Sequence, residues 1–201
     1  MSIRNGYPSA WDPPSLIRVF PSFPLNYFIS HRMKTARIII TYECPRSCKG
    51  CCNKQDQFKH IQSFGALEHV REFDQVILTG GEPLLDPKRL IELISLIKHL
   101  NPTVEIIVYS ALYRDNLAAL LTVLYLVDGL TLTIHETKDI IDFVRLDDIL
   151  GVVNMPKKKL RLNIFKQALI CKLVSPRWDI KDNIEWIDNC PLPENETLFK
   201  L

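Results

Sequence analysis

The sequence lacks both a marked excess of charge of one sign and a long apolar run. Its 25 Lys and Arg against 23 Asp and Glu leave a formal charge of +2, so neither nucleic acid nor an anionic membrane surface is expected as a partner. No apolar stretch reaches the roughly 18 residues that cross a bilayer, and the N-terminus lacks the layout of a secretory signal. We therefore expect a cytoplasmic protein.

Cysteine, by contrast, is concentrated in one place. Four of the six cysteines lie in the segment TYECPRSCKGCCN, residues 41–53, directly after the apolar run ARIII. Cysteines in a reducing compartment rarely form structural disulfides, so a tight cluster indicates a metal site or a redox device.

Residues 1–32 differ in composition and hydrophobic pattern from the rest of the chain. They are rich in proline and show no lasting strand alternation or helical stripe, which predicts a poorly ordered arm. Met33 stands directly before the first predicted strand. A start of the natural chain at Met33 is therefore an alternative that the sequence leaves open.

From residue 36 onward, short β-branched runs alternate with longer amphipathic stretches. A strand followed by a helix, repeated several times, predicts an α/β fold with a parallel sheet and right-handed crossovers. The predicted strands are Ala36 to Thr41, Gln75 to Thr79, Val104 to Ser110, Gly129 to Ile134 and Leu160 to Ile164. Helices are predicted in DPKRLIELISLIKHL, in RDNLAALLTVLYL and, less regularly, near Lys138 to Leu150. So few units predict an open, partial β/α barrel rather than a closed one.

The cysteine cluster follows the carboxyl end of the first predicted strand, where α/β sheets carry their chemistry. Cys44, Cys48 and Cys51 form the spacing C-x3-C-x2-C. Three thiolates on one loop can hold three corners of a tetrahedral metal site or of an iron-sulfur cubane, and they leave one position open. Cys52 is a poor fourth ligand because adjacent residues seldom converge on one metal. For the loop taken alone, zinc and a redox dithiol remain alternatives.

A second motif, VILTGGEPLL, ends the second predicted strand. Gly80 and Gly81 turn the chain there, and Glu82 and Pro83 follow. A glycine pair at a strand end can be no more than a tight turn. The functional interpretation is that a ligand approaches the bare backbone, whose carbonyls accept hydrogen bonds from an ammonium group while Glu82 adds negative charge.

Strand parity adds polar candidates on the later strands. In LTLTIH the three apolar side chains share one face, which turns Thr133 and His135 to the other face. The same parity turns Arg161 and Asn163 inward, and Ser110 ends the third strand. Each of these residues could equally be a structural polar group with its hydrogen bonds satisfied.

Together the two motifs resemble the radical S-adenosylmethionine (radical SAM) enzyme family, whose marks are C-x3-C-x2-C after the first strand and a G-G-E-P-like turn after the second. In architecture the resemblance covers residues 36 to about 165. It implies a core domain over residues 33–201, with a C-terminal extension. By this resemblance a 4Fe-4S cluster is bound by Cys44, Cys48 and Cys51, and the amino group of S-adenosylmethionine by Gly80, Gly81 and Glu82.

The resemblance also implies an activity and partners. Family members cleave S-adenosylmethionine reductively to a 5′-deoxyadenosyl radical, which abstracts hydrogen from a substrate, here unidentified. An electron donor of the flavodoxin or ferredoxin type is implied. Because family members place polar residues at the ends of the later strands, further contacts to S-adenosylmethionine are expected from Ser110, Thr133, His135 and Asn163.

Some features depart from the family pattern. Gly50 stands where many members carry an aromatic residue before the third cysteine. Its context, KGCCNKQ, is similar to the activase of anaerobic ribonucleotide reductase, which installs a glycyl radical on a partner protein. The D-G-P-G-like stretch of such activases is missing from residues 1–43, and a glycine-rich motif of the fifth strand is also missing. A glycyl-radical activase and a non-catalytic zinc or iron-sulfur protein therefore remain alternatives.

The C-terminal region carries no readable motif. Cys171 and Cys190 are too few for an additional cluster, so we interpret both as plain thiols. Trp178 and Trp186 are interpreted as packing residues.

Overall fold

The computed structural model describes residues 33–111, 116–168 and 171–201. The predicted N-terminal arm, residues 1–32, lies outside the described residues. The described part contains one seven-stranded sheet, in which every pair of neighbouring strands is parallel. The strands are β1 (Thr35–Thr41), β2 (Gln75–Gly80), β3 (Glu105–Ser110), β4 (Gly129–Ile134), β5 (Lys159–Phe165), β6 (Asp179–Ile184) and β7 (Glu196–Lys200). Their order is β6-β5-β4-β3-β2-β1-β7, and the sheet is not closed. The predicted open α/β architecture is confirmed.

Helices connect the central strands. The α-helices are α1 (Pro87–Leu100), α2 (Leu117–Leu126) and α3 (Lys138–Val152). Short 3-10 helices are formed by Cys52–Lys54, Asp56–Phe58, Leu67–Glu72, Pro83–Leu85 and Lys166–Ala168. The start of α1 is well specified, since the Asp86 side chain accepts a hydrogen bond from the Arg89 amide and Pro87 occupies the first turn. Among the helices that the structure describes, none has the length and apolar character needed to cross a membrane.

The hydrophobic core lies between one face of the sheet and these helices. In β4, Leu130, Leu132 and Ile134 are fully buried in it. The buried stripe of α1 consists of Leu90, Ile94 and Ile97, and α2 and α3 contribute similar stripes. Burial of apolar area is the main favourable term in folding, so this layer stabilises the parallel sheet.

Side chains of the opposite parity face away from that core. At the carboxyl ends of the strands they line an open cleft, to which β1 contributes Ile39, β2 Thr79, β3 Tyr109, β4 Thr133 and β5 Asn163. The inward orientation of Thr133 and Asn163 agrees with the strand parity predicted from the sequence.

Two strands, β6 and β7, were not predicted from the sequence. Both come from the C-terminal region and form the two edges of the sheet, where β6 pairs with β5 and β7 pairs with β1. No residue of the β6 segment DIKDNI is buried. An edge strand buries less surface than a central one, and it therefore lacks the clear apolar alternation by which strands are recognised.

The contribution of the β7 edge to the stability of the fold can be tested at Phe199. Its ring packs edge-on against Phe64 and Phe73, with centroid distances of 5.0 and 5.8 Å. We expect Phe199→Ala to lower the free energy of unfolding by roughly 2–4 kcal/mol, because it removes an aromatic side chain from a packed cluster. Thr197→Ala, at an exposed position of the same strand, should cost less than about 1 kcal/mol. Urea denaturation followed by circular dichroism measures both, and equal effects would contradict a stabilising role for this cluster.

Candidate functional site

The cysteine loop, the strand ends and the C-terminal segment surround one cleft. Its volume is about 410 Å³, which lies in the range of small-molecule sites. The cleft opens at the carboxyl ends of the parallel strands, where open α/β sheets bind ligands. Of the residues predicted for the site, those lining the cleft are Cys44, Cys48, Cys51, Gly80, Gly81, Ser110, Thr133, His135 and Asn163.

Three cysteines of the loop carry free thiols into this cleft. Cys44 is exposed, whereas Cys48 and Cys51 are half-buried. Burial raises the pKa of the Cys44 and Cys48 thiols above their ordinary value. Across the described ranges, no three His, Cys, Asp or Glu side chains are grouped as they would be around a single metal ion. A cubane binds each thiolate through a different iron, so its ligands do not have to converge on one point.

The fourth cysteine of the loop is engaged elsewhere. Cys52 forms a disulfide with Cys190, across a sequence separation of 138 residues. The interpretation of Cys190 as a plain thiol was therefore wrong, because the C-terminal segment folds back over the loop in a way that no local pattern records. Cys171 is free and exposed, as predicted. Since disulfides are typical of oxidising compartments, the cytoplasmic location stays a prediction.

The glycine turn approaches the start of the cysteine loop at backbone distance. The Gly81 amide donates to the Thr41 carbonyl at 2.6 Å, and the Glu82 amide donates to the Glu43 carbonyl at 2.8 Å. A Cβ atom on Gly81 would collide with the Glu43 carbonyl, and Gly80 adopts φ +133° beside Thr41. The two glycines therefore allow two loops to hydrogen-bond where any side chain would separate them.

Glu82 faces away from the cleft. Only 1% of its surface is exposed, and its carboxylate accepts hydrogen bonds from the Leu84 amide, the Ser110 hydroxyl and the Ala111 amide at 2.8–3.0 Å. Burial raises the pKa of this carboxyl group, and these hydrogen bonds oppose the rise. Glu82 thus joins the ends of β2 and β3, while its contact with an ammonium group stays a prediction. Ser110 lines the cleft, but its hydroxyl donates to Glu82.

Unsatisfied polar atoms are concentrated in the cleft. Within residues 33–111, 116–168 and 171–201, the buried side-chain atoms without a hydrogen-bond partner are Arg46 Nε, His135 Nδ1 and Asn163 Oδ1. All three residues line the cleft. Buried polar groups are almost always paired in native proteins, because an unpaired one costs on the order of 1–3 kcal/mol. These atoms therefore point to a polar ligand that completes their hydrogen bonds.

An aromatic stack forms another part of the cleft wall. The rings of His135, Phe165 and Trp186 lie with centroids 4.2–5.5 Å apart. A Cβ atom on Gly50 would lie 2.8 Å from the Trp186 ring, so the glycine at that position provides the space that Trp186 occupies. Trp186 packs as predicted, but its position beside the cysteine loop could not be read from the sequence.

Arg46, between the first two cysteines, was missed by sequence reasoning. Its terminal nitrogens bind both carboxylate oxygens of Asp139 at 2.9 Å, and Nη2 also donates to the Ala111 carbonyl at 2.7 Å. Asp139 in turn accepts hydrogen bonds from the amides of His135 and Glu136 at 3.1 Å. The pair therefore connects the cysteine loop to the turn between β4 and α3. An arginine beside two cysteines was the only available sequence signal.

Comparison with known proteins identifies a family that contains the cysteine loop. A family model described as a 4Fe-4S single cluster domain matches residues 35–136, which are 102 of the 201 residues. The match contains the three free cysteines of the loop and the glycine turn, and it ends directly after β4. No curated protein matches the chain.

The close approach of turn and loop can be tested at Gly81. We expect Gly81→Ala to lower the free energy of unfolding by roughly 2 kcal/mol or more, because the added methyl group must separate the turn from the Glu43 carbonyl. Gly151→Ala is the matched control on α3, where alanine should be neutral or stabilising by up to about 1 kcal/mol. Chemical denaturation measures both variants, and indistinguishable stabilities would contradict the steric argument.

The protonation of His135 gives a second prediction. Burial, followed by the charge of Arg46, lowers the pKa of His135 from 6.5 to about 4, while Asp139 and Glu136 act in the opposite direction. The unfolded chain therefore binds more protons between these pH values, and stability falls as the pH decreases. Between pH 7 and pH 5 the loss should be on the order of 1–2 kcal/mol.

His135→Asn keeps a polar side chain and removes this titration. We expect urea denaturation at pH 7 and pH 5 to show a smaller pH-dependent loss of stability for this variant than for the wild type. An equal loss in both proteins would show that other groups determine the pH dependence.

Proposed function

Because the chain belongs to the 4Fe-4S single cluster domain family, we propose that it is a radical SAM enzyme that cleaves S-adenosylmethionine reductively and abstracts hydrogen from a substrate. This cluster family is found in radical SAM enzymes. The observation that carries the proposal is the convergence of three free thiols, a side-chain-free backbone turn and three unpaired polar atoms on one cleft.

The thiols of the loop suit a cluster with one open coordination site. Cys44, Cys48 and Cys51 are free, and Cys52 is held in its disulfide, so the loop offers three ligands. Thiolates are the usual protein ligands of iron-sulfur clusters. An iron without a protein ligand is the arrangement that substrate or cofactor binding requires, whereas a structural zinc site is closed by four protein ligands.

The rest of the cleft suits S-adenosylmethionine. When bound, the reduced cluster and S-adenosylmethionine would together supply the one-electron cleavage that yields a carbon radical. The protein positions these groups: the backbone of Gly80 and Gly81 lines the cleft where an amino group would bind, and Thr133 and Asn163 offer partners for ribose hydroxyls from the adjacent strands β4 and β5. His135, neutral at pH 7 because of its lowered pKa, adds a hydrogen-bonding nitrogen without charge.

Electron supply is compatible with the position of the loop. Cys44 is exposed at the protein surface, so a cluster bound there would lie close to solvent. We therefore retain a flavodoxin- or ferredoxin-like protein as the proposed electron donor, since such a donor must approach the cluster closely.

Single cysteine replacements test the proposal. Cys44→Ala, Cys48→Ala and Cys51→Ala should each lose most of the iron and sulfide incorporated on anaerobic reconstitution, because each removes one of three ligands. Cys171→Ala is the matched control and should retain wild-type iron content, since Cys171 lies outside the cleft lining. Iron and sulfide analysis with the visible spectrum measures the cluster.

Nucleoside analysis after reduction with dithionite measures the proposed reaction. The wild type should release 5′-deoxyadenosine and methionine from S-adenosylmethionine, and the three ligand variants should release neither. A loaded cluster without 5′-deoxyadenosine would reject the enzyme and favour a non-catalytic iron-sulfur protein.

A further inference from the structure

We infer that Arg46 recognises the carboxylate of the ligand's amino-acid end through its Nε–H group; this inference rests on the proposed function. Arg46 lies within the loop between Cys44 and Cys48, and its side chain is 15% exposed. Its Nε atom is buried and has no partner among the described residues. The same side chain lines the cleft.

The guanidinium is held in a defined orientation. Nη1 and Nη2 bind the two oxygens of Asp139, and Nη2 also binds the Ala111 carbonyl. A guanidinium group is planar and rigid, so fixing its two terminal nitrogens fixes the direction of the Nε–H bond as well. Only 5% of the Asp139 side chain is exposed. The donor is therefore preorganised before a ligand arrives, which lowers the entropic cost of binding.

The chemistry of Nε–H limits what it can bind. It is a donor that does not deprotonate, so its partner must be an acceptor, and an anionic acceptor forms the stronger hydrogen bond. In the proposed ligand the carboxylate is the anionic group, and it belongs to the end that binds beside the cysteine loop. The hydroxyls of the nucleoside end are donors, and they match the acceptor Asn163 Oδ1. Asn163 lies on β5, whereas Arg46 contacts the end of β3, two strands away.

The ion pair with Asp139 also has a structural role, because it ties the cysteine loop to the turn after β4. Burial alone would raise the pKa of Asp139, but the hydrogen bonds and charge of Arg46 lower it below its ordinary value. The experiment must therefore separate recognition of a carboxylate from support of the loop. Decarboxylated S-adenosylmethionine serves this purpose, since it keeps the sulfonium, the amino group and the nucleoside.

Equilibrium binding to the cluster-loaded protein, under anaerobic conditions, tests the inference. Dissociation constants are measured for S-adenosylmethionine and for its decarboxylated analogue with the wild type, Arg46→Gln, Arg46→Lys and Asp139→Asn, after the iron content of each has been determined. We expect Arg46→Gln to weaken binding of S-adenosylmethionine about 10- to 100-fold, as for loss of a charge-assisted hydrogen bond. Its affinity for the decarboxylated analogue should stay within about threefold of the wild type.

The variants distinguish recognition of the carboxylate by Arg46 from a purely structural role. Equal weakening of both ligands in Arg46→Gln, or no weakening of either, overturns the inference and leaves Arg46 a structural residue. Asp139→Asn retains the Nε donor, so it should preserve the preference for the carboxylate-bearing ligand, and loss of that preference would count against the inference.

Arg46→Lys decides the question if the glutamine variant does not load its cluster. Lysine keeps the charge near Asp139 but lacks the fixed Nε donor, so a reduced preference for S-adenosylmethionine supports the inference and a wild-type preference overturns it. Failure of the loaded wild type to bind either ligand would reject the proposed function itself, together with the inference that rests on it.

Discussion

The site depends on the close approach of two backbone segments at the ends of β1 and β2. The amides of Gly81 and Glu82 donate to carbonyls at Thr41 and Glu43, which extends the strand pairing into the cysteine loop. This contact requires that no side chain stands between the segments. Because the loop is attached here, its thiols lie over the cleft rather than at an arbitrary place on the surface. The positions of Cys44, Cys48 and Cys51 follow from this contact.

Two polar residues extend this attachment to the rest of the sheet. Glu82 joins the turn to the end of β3 through Ser110 and Ala111, and Arg46 joins the loop to the turn after β4 through Asp139. Both carboxylates are buried and hydrogen-bonded, which offsets the cost of removing them from water. The strand ends are thereby held together by polar contacts, while the hydrophobic core lies on the other face of the sheet. This division keeps one end of the fold available for polar chemistry.

Local patterns predicted the central sheet well. The strands predicted from apolar, β-branched runs correspond to β1–β5 with differences of at most one residue at their ends, because central strands are rich in buried β-branched residues and because β4 and β5 alternate polar with apolar side chains. The parity of Thr133 and Asn163 followed from the same alternation. The edge strands β6 and β7 were not predicted, since their burial is small and β7 pairs with β1, which lies far away in sequence. The pairing of Cys52 with Cys190 was missed for a related reason, as 138 residues separate them.

The sequence alone determined the order of strands and helices, the cysteine spacing and the glycine turn, since each depends on residues that are neighbours along the chain. Only the tertiary structure decided that Arg46 reaches Asp139, that Trp186 fills the space beside Gly50, and that Glu82 points into the protein. These contacts join residues from separate elements, and their geometry depends on how the whole sheet twists and packs. Local propensity carries no information about such distances.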